Sequence, residues 1–151
     1  MKQKNRLLVV LVLVGLLVAC RNNASPTDAV QPTKVLTIAA TDIAFDTSAI
    51  EMKTGQLLRL TLKNDGALEH DFSIMEMPLV GEVIGGEMDM AGHDMSSMDE
   101  EPDVHVSAMP GDSNTISFTP AKPGIYEFYC TVAGHREAGM SGTLNVAEPS
   151  S

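Results

Sequence analysis

This sequence predicts an all-β fold, an antiparallel β-sandwich interrupted by one long methionine-rich excursion. Three observations carry that reading. Short segments alternate apolar and polar residues, as half-buried strands do. Turn signals separate those segments, and no convincing helical stretch lies between them. The folded part is expected over residues 35–147, enough for one small domain, with a short tail at 148–151.

The first two strand segments are "VLTIAATDIAF" (35–45) and "QLLRLTLKN" (56–64). In the second, Leu58, Leu60 and Leu62 face one way while Arg59, Thr61 and Lys63 face the other. "NDG" (64–66) marks a turn, and "HDFSIM" (70–75) is a further short strand with Phe72 and Ile74 on one side. "NTISFT" (114–119) and "GIYEFYC" (124–130) are joined by "PAKPG", whose prolines and glycine stop one strand and start the next. "GTLNV" (142–146) closes the domain. With four Phe, two Tyr and no Trp, the core is expected to be aliphatic.

Residues 75–109 break the pattern. They hold seven methionines, nine acidic residues and two histidines, with no Lys or Arg. The stretch is too long for an ordinary hairpin connection. It is expected to be an exposed excursion that rejoins the sheet near Val104–Val106.

The start of the chain has another character. "MKQKNR" is a basic opening, and the apolar run of residues 7–19 is shorter than the ~20 residues a spanning helix needs. Residues 1–19 therefore read as an export signal. Leu17-Val18-Ala19-Cys20 resembles a bacterial lipobox, which implies lipid on Cys20 as the first mature residue. Residues 20–34 then form a polar, proline-containing tether to the domain. Removing residues 1–19 deletes Lys2, Lys4 and Arg6 and moves the net charge from −10 to −13. That acidity argues against nucleic acid and favours a basic or neutral protein partner.

With Cys20 lipidated, Cys130 is the one remaining thiol of the two cysteines, so no disulfide can form within the chain. It stands in "YCTVAGHREAGMSG" (129–142), where Cys130, His135 and Met140 follow a Cys-x4-His-x4-Met spacing among glycines. Each residue alone has an ordinary structural reading, as small hydrophobe, structural imidazole and core filler. Together they are soft donors of the kind copper takes. A type 1 copper site needs a thiolate, two imidazoles and a weak axial thioether. The second imidazole must come from elsewhere. His70 is the first candidate, because it starts a strand and metal ligands work best on rigid elements. His93, in the acidic excursion, and His105 compete with it.

"LEHDFSI" followed by "PGIYEFYCTVAGHREAGMSGTLNV" resembles the cupredoxins, the small blue copper proteins, and above all their plastocyanin/azurin-like, auracyanin-like and sulfocyanin-like members. The likeness spans residues 35–146. It implies a Greek-key β-sandwich with one copper at its end, held by His70, Cys130, His135 and Met140. Many relatives have Asn where this chain has Asp71 and Pro where it has Ala133. Neither change removes a ligand. Asp71 can still hydrogen-bond near Thr131, and a carboxylate there is expected to lower the reduction potential.

The implied function is single-electron transfer by a membrane-tethered copper protein. Its partners would be redox proteins of a respiratory or photosynthetic chain. It would sit lipid-anchored on the outer side of a bacterial cytoplasmic membrane or in the periplasm, with electrons passing through an exposed edge of His135. The alternative is copper storage or delivery, with Met88, Met90, His93, Met95 and Met98 as soft ligands for Cu(I) or Ag(I). An enzyme is not expected. A second copper centre usually needs paired histidines, no His-x-His occurs, and a dinuclear electron-entry centre would need two loop cysteines.

Overall fold

The computed structural model describes residues 33–86 and 101–149. Among them, ten strands form two five-stranded sheets. The first contains β1 (Lys34–Thr41), β2 (Ala44–Phe45), β4 (Leu58–Asn64), β6 (Ile84–Gly85) and β8 (Ser113–Phe118), in the order β2-β1-β4-β8-β6. The second contains β3 (Ala49–Lys53), β5 (His70–Ile74), β7 (Val104–Ala108), β9 (Gly124–Tyr129) and β10 (Ser141–Ala147), in the order β3-β10-β9-β5-β7. No helix occurs among the described residues.

The alternation that defines the strands is the force that packs them. Leu58, Leu60 and Leu62 of β4 are fully buried, while Arg59 and Lys63 are exposed. Burying each such leucine contributes roughly 1.5–3 kcal/mol, and the facing sheet supplies Ile50, Phe72, Val106, Leu144 and Val146 to the same core. The scarce aromatics are concentrated there as well. Phe72 stacks on Phe128 at 4.8 Å, and Phe45 meets Phe128 at 5.7 Å, so the core is not the purely aliphatic one expected from composition. Phe118 is also buried.

Two pairings depart from an antiparallel sandwich. β1 runs parallel to β4, and β10 runs parallel to β3, so both sheets are mixed. The chain leaves the first sheet after Phe45 and enters the second at Ala49. Each of these N-terminal strands therefore lies beside a strand reached by a long crossover, and such connections are what parallel pairs require.

The excursion is also anchored further along than its composition suggested. Met77 is buried, Leu79 bridges to Pro120, and β6 pairs with β8. On the return side, Asp103 N–H donates to the Met75 carbonyl, and Asp103 Oδ2 accepts the Met77 N–H at 2.7 Å. The chain rejoins the sheet as β7, at the place expected from Val104–Val106.

The site is set by one register. Ser73 on β5 lies opposite Tyr129 on β9, which brings the start of β5 beside the end of β9. β9 and β10 form an antiparallel pair, so the loop between them closes over the same end of the sandwich.

Candidate metal centre

His70 and Cys130 meet at that end because one opens β5 and the other follows β9. The 130–140 loop is closed by its own backbone. The N–H of Cys130 donates to the Met140 carbonyl at 3.1 Å, and that of Met140 donates to the His135 carbonyl at 3.0 Å. His135 N–H donates in turn to Val132 at 3.0 Å. Gly134 and Gly139 take φ values of 84° and 100°, which other residues rarely adopt, and their turns fold His135 back toward the sulfur.

The donor atoms of His70, Cys130 and His135 all lie within 4.8 Å of one another, and all three residues are buried. Both imidazoles present Nδ1 to the thiol: Cys130 Sγ is 3.4 Å from that of His135 and 4.0 Å from that of His70. Met140 is fully buried at the end of the same loop. The edge of His135 expected to face solvent is narrow, with 6% of the residue exposed against none of His70. His105 is not part of this cluster. Cys20, Met88, Met90, His93, Met95 and Met98 lie outside the described residues.

The electrostatics fit a soft cation. Burial, and then the negative charge of Asp71, push the Cys130 thiol up to about 12, so the apo site holds a protonated sulfur. Burial, and then neighbouring His135, lower the pKa of His70 despite the opposing pull of Asp71, so its imidazole is held neutral. A neutral imidazole and a thiol that gives up its proton only to a metal are the ligand forms copper binding requires. His70 Nε2 is buried without a hydrogen-bond partner. Leaving such a group unsatisfied costs about 1–3 kcal/mol, which copper held by His70 through its other nitrogen would offset.

Asp71 ties the two halves together. Its carboxylate accepts the Thr131 N–H at 3.0 Å and the Thr131 hydroxyl at 2.8 Å, while its own N–H points at Cys130 Sγ from 3.5 Å. The hydrogen bond expected near Thr131 is thus present.

Residues 32–147 match the family of copper binding proteins described as plastocyanin/azurin. The chain belongs to the plastocyanin/azurin family. Copper is accordingly the metal of this centre, in keeping with the thiol, imidazole and thioether set. Among relatives of this cupredoxin, the Copper-resistant cuproprotein CopI of Pseudomonas aeruginosa is 29% identical, covering 90% of this chain and 93% of that protein. Auracyanin-B of Chloroflexus aurantiacus is 47% identical over 36 residues, which is 24% of this chain and 15% of that protein. The dithionite-reduced auracyanin of Roseiflexus castenholzii superposes with a TM-score of 0.56 at 26% identity, covering 77% of this chain and 98% of that one.

Three supporting residues escaped the sequence reading. Asn64, read as part of a turn, is fully buried and holds the loop before His70. Ser73 sits behind Asp71. Gly66 leaves room for the His70 ring, since a Cβ there would lie 2.9 Å from Asp42 N and 3.1 Å from His70 Nε2. Gly66→Ala should therefore displace His70 and weaken copper binding by about tenfold or more, as loss of outer support does elsewhere. Competition against a copper chelator measures this, and wild-type affinity would show that the ring is not confined by Gly66.

Proposed function

We propose that this cupredoxin is a single-electron carrier, exported and tethered to a membrane through lipid on Cys20. The observation that carries the reading is the preassembled site. Two imidazoles and a thiol converge in a buried pocket, and backbone hydrogen bonds close the loop that bears two of them. Bound copper supplies the one-electron chemistry, alternating between Cu(II) and Cu(I). The chain's part is to hold its donors still, so that little reorganises as charge changes, and to exclude water. His135 is the more accessible of the two imidazoles and is flanked by exposed Ala133, Gly134 and Gly139, so it is the route proposed for electrons. The acidic chain favours a basic redox partner, and no substrate turnover is assigned to it.

Copper-loaded protein should give one reversible one-electron wave in voltammetry. Reduced protein should then pass its electron to a basic c-type cytochrome at a rate that falls as salt is raised. No transfer at low salt would sink the carrier reading. Cys20→Ser should release the protein from the membrane fraction, and a variant that still pellets would remove the lipid tether.

The likeness to a copper-resistant cuproprotein favours a second reading, copper handling. In that case the protein should bind Cu(I) beyond the blue site, and replacing Met88, Met90, Met95 and Met98 by leucine should remove only that excess. Equal Cu(I) stoichiometry before and after would exclude it.

A further inference from the structure

Asp71 grips Thr131 on one side and is itself held from the other. The Ser73 hydroxyl donates to Asp71 Oδ1 at 2.8 Å, and Ser73 Oγ also lies 2.8 Å from Nδ1 of His105. A hydroxyl has one proton. With that proton given to Asp71, Ser73 can only accept from His105, so Nδ1 of His105 carries the hydrogen. The outcome is an oriented chain: His105 Nδ1–H to Ser73 Oγ–H to the Asp71 carboxylate. Strand register builds it, since Ser73 on β5 faces His105 on β7 and Tyr129 on β9. It runs across the second sheet from an edge strand to the strand that delivers Cys130.

Burial gives the chain its leverage. Asp71 and Ser73 are 1% and 0% exposed, and hydrogen bonds in such surroundings are stronger than in water and costlier to lose. Every donor to the Asp71 carboxylate draws negative charge away from Cys130 Sγ, which lies 3.6 Å from Asp71 Oδ2. The β5–β7 pair is already held by its backbone ladder over five residue pairs, so these side chains are not needed to join the strands.

We infer that His105 and Ser73 are positioning residues of the copper centre, acting through Asp71 on the orientation of the Cys130–Thr131 segment and on the charge at the sulfur. Neither touches the donor cluster. The inference rests on the copper centre itself and not on the identity of any partner or on the route of electrons.

Ser73→Ala and His105→Leu should each bind copper at wild-type stoichiometry and lower the reduction potential. The expected change is about tenfold in the Cu(II)/Cu(I) equilibrium, which is ~59 mV for one electron. The double variant should shift no further than Ser73→Ala alone, because both residues belong to one chain. His105→Asn places an amide N–H where Nδ1–H stood and should restore the potential, and Ser73→Thr should keep it. In the copper-free protein, imidazole nitrogen shifts should place a proton on Nδ1 of His105. Potentials unchanged in both single variants, additive shifts in the double, no rescue by asparagine, or a bare Nδ1 would each overturn the assignment. If His105→Leu does not fold, the contrast between Ser73→Ala and Ser73→Thr decides the role of Ser73, and the imidazole nitrogen shifts decide that of His105.

Discussion

Cys130→Ser should abolish the intense visible absorption of the copper-loaded protein while leaving the copper-free sandwich folded. That absorption is charge transfer from thiolate to Cu(II), and Cys130 is the one free cysteine among the described residues. Serine supplies a hard oxygen whose proton is held far more firmly than that of a thiol, so the anionic soft donor is lost outright. The fold survives because the replacement is nearly isosteric. Cys130 Sγ lies 3.6 Å from Asp71 Oδ2, a sulfur-length contact that the shorter C–O bond of serine does not reproduce, so the variant loses that weak contact and keeps the surrounding packing. Chemical unfolding of the copper-free variant should fall within about 1–2 kcal/mol of wild type, the range of an ordinary buried substitution. Absorption spectra before and after copper loading, beside that unfolding curve, make the test. Retained colour would mean that the thiolate of this site is not Cys130. Loss of both colour and fold would mean that Cys130 is a structural residue first.

Asn64→Ala should cost about 3 kcal/mol of stability and weaken copper binding with it. Asn64 Nδ2–H₂ donates to the Leu68 carbonyl at 2.7 Å and to the Ala108 carbonyl at 2.8 Å, and its Oδ1 accepts the Gly66 N–H at 2.9 Å. One amide thus pins the loop between β4 and His70 to itself and to the end of β7. Alanine leaves the buried Ala108 carbonyl without that donor and frees the loop that sets where His70 begins. Water can reach part of the vacated space, which limits the loss to one or two full desolvation penalties. Urea unfolding of the copper-free protein gives the stability term, and chelator competition gives the copper term. A loss below about 1 kcal/mol with unchanged copper affinity would show that the loop is held by other contacts. Asn64→Asp is the useful companion. It keeps the acceptor for Gly66 but sets a carboxylate against two carbonyl oxygens, so it should be no better than alanine.

Much of the centre is legible in sequence because much of it is local. Cys130, His135 and Met140 fall within eleven residues, and their soft chemistry is visible whatever the chain does elsewhere. The period-two alternation of Leu58, Leu60 and Leu62 is local too, since a strand's two faces are written in consecutive residues. These features determined the sandwich, the ligand loop and the soft-metal chemistry.

Tertiary structure decided the rest, because the remaining facts concern residues that meet only across the sheets. His70 was one of three histidines that could complete the set, and the pairing of β5 with β9 is what delivers it to Cys130. His105, a competitor by composition, reaches the site only at second hand, through Ser73. The burial of Asn64, Asp71 and Ser73 runs against their polarity, and their partners lie up to sixty residues away, beyond any local pattern. The two parallel pairings and the anchoring of Met77 follow from where the chain crosses between layers, which alternation does not encode. Side-chain period states which residues turn inward. Which of them then meet is settled by strand order and register, and those emerge only when the two layers pack.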